Sequence, residues 1–188
     1  MTKDYIENYL RETSKISALI DRDAIDEAVR ILRATRKSDA RLFIIGVGGS
    51  ATNASHAVND FRKICSMESY TPVDNVSELT ARTNDEGFET VFDRWLDTSH
   101  LREGDCLMVL SVGGGTDTVS RNLVKAMEFA KLRKAWVVSI VSRDGGAALK
   151  MSDACILVPV VVDERITPHA EGWQSVICHL LVNAMEAE

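Results

Sequence analysis

Residues 41–61 read RLFIIGVGGSATNASHAVNDF. Leu42 to Ile45 form a short apolar run, the pattern of a strand buried on both faces. Gly46, Gly48 and Gly49 then turn the chain with almost no side-chain bulk, and Ser50 and Thr52 open a helix-compatible segment. A strand, a glycine turn and a helix start gather free backbone N–H groups and the positive end of a helix dipole in one place, which suits a phosphate. The arrangement recurs. Asp105 to Ser111 (DCLMVLS) reads as a second buried strand, Val112-Gly113-Gly114-Gly115-Thr116 as its turn, and Asp117 to about Leu132 as the following helix. In an open parallel sheet, loops at the carboxyl ends of the strands face one crevice, so two such turns can hold one phosphorylated ligand.

The flanks extend the alternation. Ala135 to Val141 reads as a third buried strand, Ser142 to Gly146 as a turn, Ala147 to Met151 as a short helix, and Cys155 to Val162 as a further strand. A loop from Asp163 to Pro168 leads to a last helix starting at His169 or Ala170. Ahead of the first strand, Asp4 to about Lys37 reads as helix with a break at Asp21–Asp23. Between the two glycine turns the spacing predicts an edge strand at Thr71-Pro72-Val73 and a short helix over 77–83. A turn at Asn84-Asp85-Glu86-Gly87 and a helix over 88–96 follow, with Phe88, Val91, Phe92 and Trp95 as core. The expected fold is α/β: a three-layer αβα sandwich around a parallel, flavodoxin-like sheet. One domain spans 1–188, with a helical region over 1–37 that packs on a second subunit and a core over 38–188.

The totals narrow the function. At 188 residues, 45% hydrophobic and 27% charged, the chain has the composition of a globular domain. A net charge of -6 argues against a general nucleic-acid or anionic-membrane surface, so an anionic ligand must be held by local amides and hydroxyls. Cys65, Cys106, Cys155 and Cys178 form no CxxC pair and read as reduced core residues of a cytoplasmic protein. No apolar signal core and no membrane-length stretch is present in the sequence.

On the last point of chemistry, helical spacing brings two pairs together. His56 and Asp60 are four residues apart after the first turn, on one helix face. Glu171 and His179, eight apart on the last helix, also share a face; a shift of one residue puts Ala170 and Cys178 there instead. Imidazole and carboxylate groups suit zinc, and they suit proton transfer. His169 is either an additional ligand or a loop residue, and His100 has no assigned role.

GVGGSATNASH and SVGGGTDTVSRNLVKA, with TNDEGFETVFDRWL between them, resemble the SIS (sugar isomerase) domain, and within it the phosphoheptose isomerases. The resemblance covers nearly the whole chain. It implies aldose–ketose isomerisation of sedoheptulose 7-phosphate or a similar sugar phosphate, with a homodimer or homotetramer whose sites lie at subunit boundaries and no nucleotide cofactor. It implies substrate contacts from Val47, Gly48, Gly49 and Ser50, from Asn84 and Asp85, and from Ser111, Val112, Gly113 and Thr116. The family's second turn is Ser-Thr-Ser-Gly-Asn-Ser; here Val112 and Gly113 stand where two hydroxyls are expected. The resemblance also implies a zinc site of His56, Asp60, Glu171 and His179, with Asp60 and His179 as acid and base and Glu171 also facing substrate. Asp60 replaces a glutamate and Glu171 a glutamine of the family pattern. These departures keep two other readings of the same fold open: a phosphosugar-binding regulatory protein and a scaffold that binds a replication initiator.

Overall fold

The computed structural model describes residues 2–187. Two N-terminal helices, α1 (Thr2–Leu19) and α2 (Arg22–Lys37), precede β1 (Leu42–Gly46) and α3 (Gly49–Lys63). Next come β2 (Ser69–Tyr70), α4 (Val76–Glu86), α5 (Val91–Thr98) and β3 (Cys106–Leu110). Then follow α6 (Arg121–Leu132), β4 (Trp136–Val141), α7 (Gly146–Met151), β5 (Ala154–Leu157) and α8 (Ile166–Glu186). The strands form one parallel sheet in the order β2-β1-β3-β4-β5. The expected αβα architecture is therefore present.

Alternate strand residues point to opposite faces, and each face has its own core. Leu42, Ile44, Met108, Ile140 and Ile156 pack under α2, α3 and α8 with Leu32, Phe61 and Leu181. Phe43, Ile45, Leu107, Val109 and Val137 pack under α5 and α6 with Phe92, Leu96 and Met127. Each such side chain removed from water contributes about 1.5–3 kcal/mol before chain entropy is subtracted.

At the amino ends of the strands, carboxylates take the place of ladder partners. The fully buried Asp105 accepts from the backbone N–H of Arg41 (2.9 Å) and of Arg102 (3.0 Å), and pairs with the Arg41 guanidinium at 2.6 Å. Asp153 accepts from the Val137 N–H (2.8 Å) and from Lys131 Nζ (2.7 Å).

Several boundaries differ from the sequence expectation. The break in the first helix falls at Asp21, whose side chain accepts from the N–H groups of Asp23 and Ala24 as the N-cap of α2. The edge strand is Ser69–Tyr70 rather than Thr71–Val73, because Pro72 lacks the N–H and opens a short 3-10 turn instead. Asn84 to Glu86 are not a turn but the last residues of α4, which Gly87 ends at φ 85. Phe88 is half exposed rather than core, while Val91, Phe92 and Trp95 are buried as expected. The helix expected from Asp117 starts at Arg121, because Thr116 Oγ1 accepts from the N–H groups of Thr118 and Val119 and holds them in a loop. The strand expected to reach Val162 stops at Leu157. The last helix starts at Ile166, with Pro168 in its first turn, where a missing N–H is tolerated.

α1 buries Ile16 in the core and meets the start of α8 through a polar cluster. Glu12 binds Arg165 at 2.7 Å and His169 Nε2 at 2.8 Å, and the Tyr9 ring stacks on His169 at 4.6 Å. His169 is thus a buried docking residue. The remainder of α1 leaves Tyr5, Ile6, Leu10 and Leu19 exposed. All four cysteines are free thiols; burial pushes Cys65 and Cys155 up to about 11. Among the described residues no helix is long and apolar enough to cross a membrane.

Candidate active site

β1 and β3 lie side by side, so the loops leaving their carboxyl ends meet. Between these loops and the one after β4 lies a cleft of about 600 Å³, a volume typical of small-ligand sites. Val47 and Ser50 line one wall; Ser111, Val112, Gly113 and Thr116 line another. The Ser111 hydroxyl accepts from the Gly114 N–H (3.1 Å), and that of Thr116 accepts from the N–H groups of Val119 (3.0 Å) and Thr118. Both hydroxyls therefore shape the loop through their lone pairs and keep an O–H proton to donate. Arg143 and Asp144 close the third side. Neither was among the residues expected from the sequence; their signal is the Ser-Arg-Asp-Gly-Gly turn at the end of a strand that neighbours β3.

α3 starts at this cleft and carries the first pair of candidate residues away from it. His56 lies six residues beyond Ser50, about 9 Å along the helix axis. α8 runs beside α3 and brings up the second pair. Asp60 Oδ2 is 3.3 Å from His56 Nε2 and 3.2 Å from His179 Nδ1. The two imidazole rings meet edge to face at 5.1 Å. Asp60 is 9% exposed, with its other oxygen accepting from Asn59 Nδ2 (3.0 Å), while both histidines remain open to solvent. Of the two registers for α8, His179 faces α3. Cys178 turns into the core, where burial, reinforced by the Asp60 carboxylate, pushes its thiol up to about 12.

These three donors fit a divalent metal. Around a four-coordinate zinc with bonds of about 2.0–2.1 Å, neighbouring donors sit about 3.3 Å apart. The two N–O separations, 3.2 and 3.3 Å, are close to that edge.

Glu171 departs from the expected set. It lies two helical turns from His179, and its carboxylate packs on Gly49 at the start of α3, so it stays outside the three-donor group. A Cβ at Gly49 would lie 2.5 Å from the Glu171 carboxyl carbon, so the two fit closely. Asn53 Nδ2 donates to the Glu171 carbonyl (2.8 Å) and to Oε1 of the buried Gln174 (3.2 Å), tying α3 to α8 between the cleft and the histidines. Asn84 and Asp85 are exposed on α4, hydrogen-bonded to each other (2.7 Å), and do not line the cleft of this chain.

A parallel sheet with two glycine turns on adjacent strands, and a histidine–carboxylate group leading away from them, is the architecture of a phosphosugar-binding domain. Residues 4–142 match the SIS domain, and the chain belongs to that family. It is similar over most of its length to the phosphoheptose isomerase of Rhodospirillum rubrum, at 30% identity over 87% of this chain and 85% of that protein. The lincomycin biosynthesis protein LmbN of Streptomyces lincolnensis is 31% identical over 94% of this chain and 66% of its own length. The structure of phosphoheptose isomerase GmhA from Neisseria gonorrhoeae superposes with a TM-score of 0.86 at 23% identity, covering 99% of both chains.

Proposed function

We propose that this protein is a sugar-phosphate isomerase that interconverts an aldose and a ketose, with sedoheptulose 7-phosphate or a similar phosphosugar as substrate. The observation that carries the reading is the meeting of His56 and Asp60, on the helix that begins at the cleft, with His179 from α8 beside it. A substrate with its phosphate and carbonyl at opposite ends of the carbon chain suits that separation. The phosphate lies against Val47 to Ser50 and Ser111 to Thr116, and the carbonyl end lies along α3 toward Asp60.

Isomerisation moves one proton between neighbouring carbons. Asp60 takes the C1 proton of the ketose while His179 gives a proton to O2, leaving an enediol. His179 then takes the O1 proton as Asp60 returns its proton to C2, giving the aldose. His56, Asp60 and His179 would hold a divalent metal, which would supply Lewis-acid polarisation of the substrate carbonyl. Glu171 and Gly49 border the substrate path, and Asn84 and Asp85 complete it from a neighbouring subunit. The protein works in the cytoplasm as a homodimer or homotetramer, as one domain per chain, with the exposed face of α1 against a partner.

The test is proton–deuterium exchange at the carbon beside the carbonyl of sedoheptulose 7-phosphate in heavy water, with added zinc and with chelator. Metal-dependent exchange that disappears in His179→Ala supports the reading. No exchange from a protein whose melting temperature the sugar phosphate still raises overturns it in favour of a binding role.

A further inference from the structure

The second glycine turn is short of hydroxyls at Val112 and Gly113, and the chain as a whole is acidic. Yet the cleft contains one cation. Arg143, in the loop after β4, is the only lysine, arginine or histidine lining it among the described residues. Its Cδ and Nη1 lie 3.9 and 4.0 Å from the point where a Cβ on Gly113 would sit. The guanidinium thus occupies the space next to the position that has lost its side chain. It makes no hydrogen bond or ion pair with any described residue. The neighbouring Asp144 has one oxygen engaged by the Gly146 N–H (3.2 Å).

The placement of Arg143 is built into the backbone. Ser142 N–H donates to the Val112 carbonyl (3.0 Å), Ala147 N–H to that of Gly115 (2.8 Å), and Ala148 N–H to that of Gly114 (3.0 Å). These bonds fasten the Arg143 loop to the second glycine turn on both sides of the arginine. Arg143 itself is held at φ 56, a conformation that costs a non-glycine residue energy. An arginine without an ion-pair partner, lining a cleft beside a glycine turn, suits a doubly charged tetrahedral oxyanion, because its planar fork offers paired donors.

We propose that Arg143 is the phosphate-anchoring residue of this site, with its charge-assisted hydrogen bonds taking the place of the hydroxyls absent at 112 and 113. This rests on the phosphosugar reading above. The test uses the full chain, Arg143→Gln and Arg143→Lys, with sedoheptulose 7-phosphate, unphosphorylated sedoheptulose and inorganic phosphate as probes. Arg143→Gln is expected to raise the KM for the sugar phosphate and the Kd for inorganic phosphate roughly 30-fold. At 1.4 kcal/mol per decade that is about 2 kcal/mol. The change leaves kcat within about twofold and the affinity for unphosphorylated sugar unaltered. Arg143→Lys keeps the charge without the fork and recovers part of the loss. Melting temperatures stay level, since the exposed side chain makes no contact that the fold needs. Equal phosphate affinity in wild type and Arg143→Gln overturns the inference even if isomerisation proceeds. Arg143-dependent phosphate binding without isomerisation overturns the isomerase reading and leaves the inference standing. A wild-type protein that binds neither phosphate nor sugar phosphate overturns both.

Discussion

Adjacent glycines in the second turn should respond to the same substitution in opposite ways. Gly114 has φ 70, and a Cβ there would lie 2.0 Å from the Gly145 carbonyl oxygen and 3.2 Å from Ala148 Cβ. Gly113 has no positive φ, and its nearest neighbour across the gap is the Arg143 side chain at 3.9 Å, an ordinary contact. For Gly114→Ala the left-handed backbone costs about 1–2 kcal/mol. Displacing a backbone carbonyl that is anchored by its own turn adds about 1–3 kcal/mol. A loss near 3.5 kcal/mol, at 2–4 °C per kcal/mol for a domain of this size, lowers Tm by roughly 10 °C. Gly113→Ala removes unfolded-state freedom without strain and should leave Tm unchanged or raise it slightly. Thermal melts of both variants, followed by phosphate titration of each, make the comparison. A Gly114→Ala protein melting within about 2 °C of wild type would refute the interlock between the two turns. So would a Gly113→Ala protein that loses as much as Gly114→Ala.

Asp105→Ala strands two backbone N–H groups and takes the counter-charge from the Arg41 guanidinium, which keeps only the Ser99 and His100 carbonyls. It should cost about 3–5 kcal/mol in urea unfolding, with Asp105→Asn losing roughly half because one acceptor oxygen remains; both variants should keep their phosphate affinity. Glu12 is held down at about 2, first by its hydrogen bond to Arg165 and then by that to His169. A carboxyl depressed in the folded state adds stability above its unfolded value of 4.5 and loses it as pH falls toward 2. Hydrogen exchange in α1 should therefore accelerate across that window in wild type and show no such step in Glu12→Gln.

Much of the sheet was legible in the sequence because strands covered on both faces are continuous apolar runs, as in LFIIG and CLMVL. Their glycine exits mark the loops above them. The helix starts were harder to read. Thr116 carries its capping bonds within a loop rather than at the first turn of α6, and Pro168 sits inside the start of α8 although proline usually signals a boundary. Of the candidate site, the His56–Asp60 spacing needed only helical periodicity. The approach of His179 depends on how α8 lies beside α3, which no local pattern encodes. Glu171 shares a helix face with His179, but a face is a direction and not a distance, and two turns of rise carry its carboxylate to Gly49. Arg143 was illegible as a cleft residue because its loop reaches the second glycine turn only through contacts between distant segments.

The carboxylate clamps at the amino ends of the strands have a consequence for how this chain can change over time. Asp105 and Asp153 fasten β1, β3, β4 and β5 at the edge of the sheet opposite the cleft. Part of the fastening of the sheet thus lies at the end of the strands away from the ligand loops. Substitutions can accumulate at open positions of the ligand-facing rim, such as Val47, Val112 and Val119, while the far rim keeps the strands in register. A lineage built this way can exchange hydroxyls for an arginine, or one sugar for another, without first having to find a new scaffold.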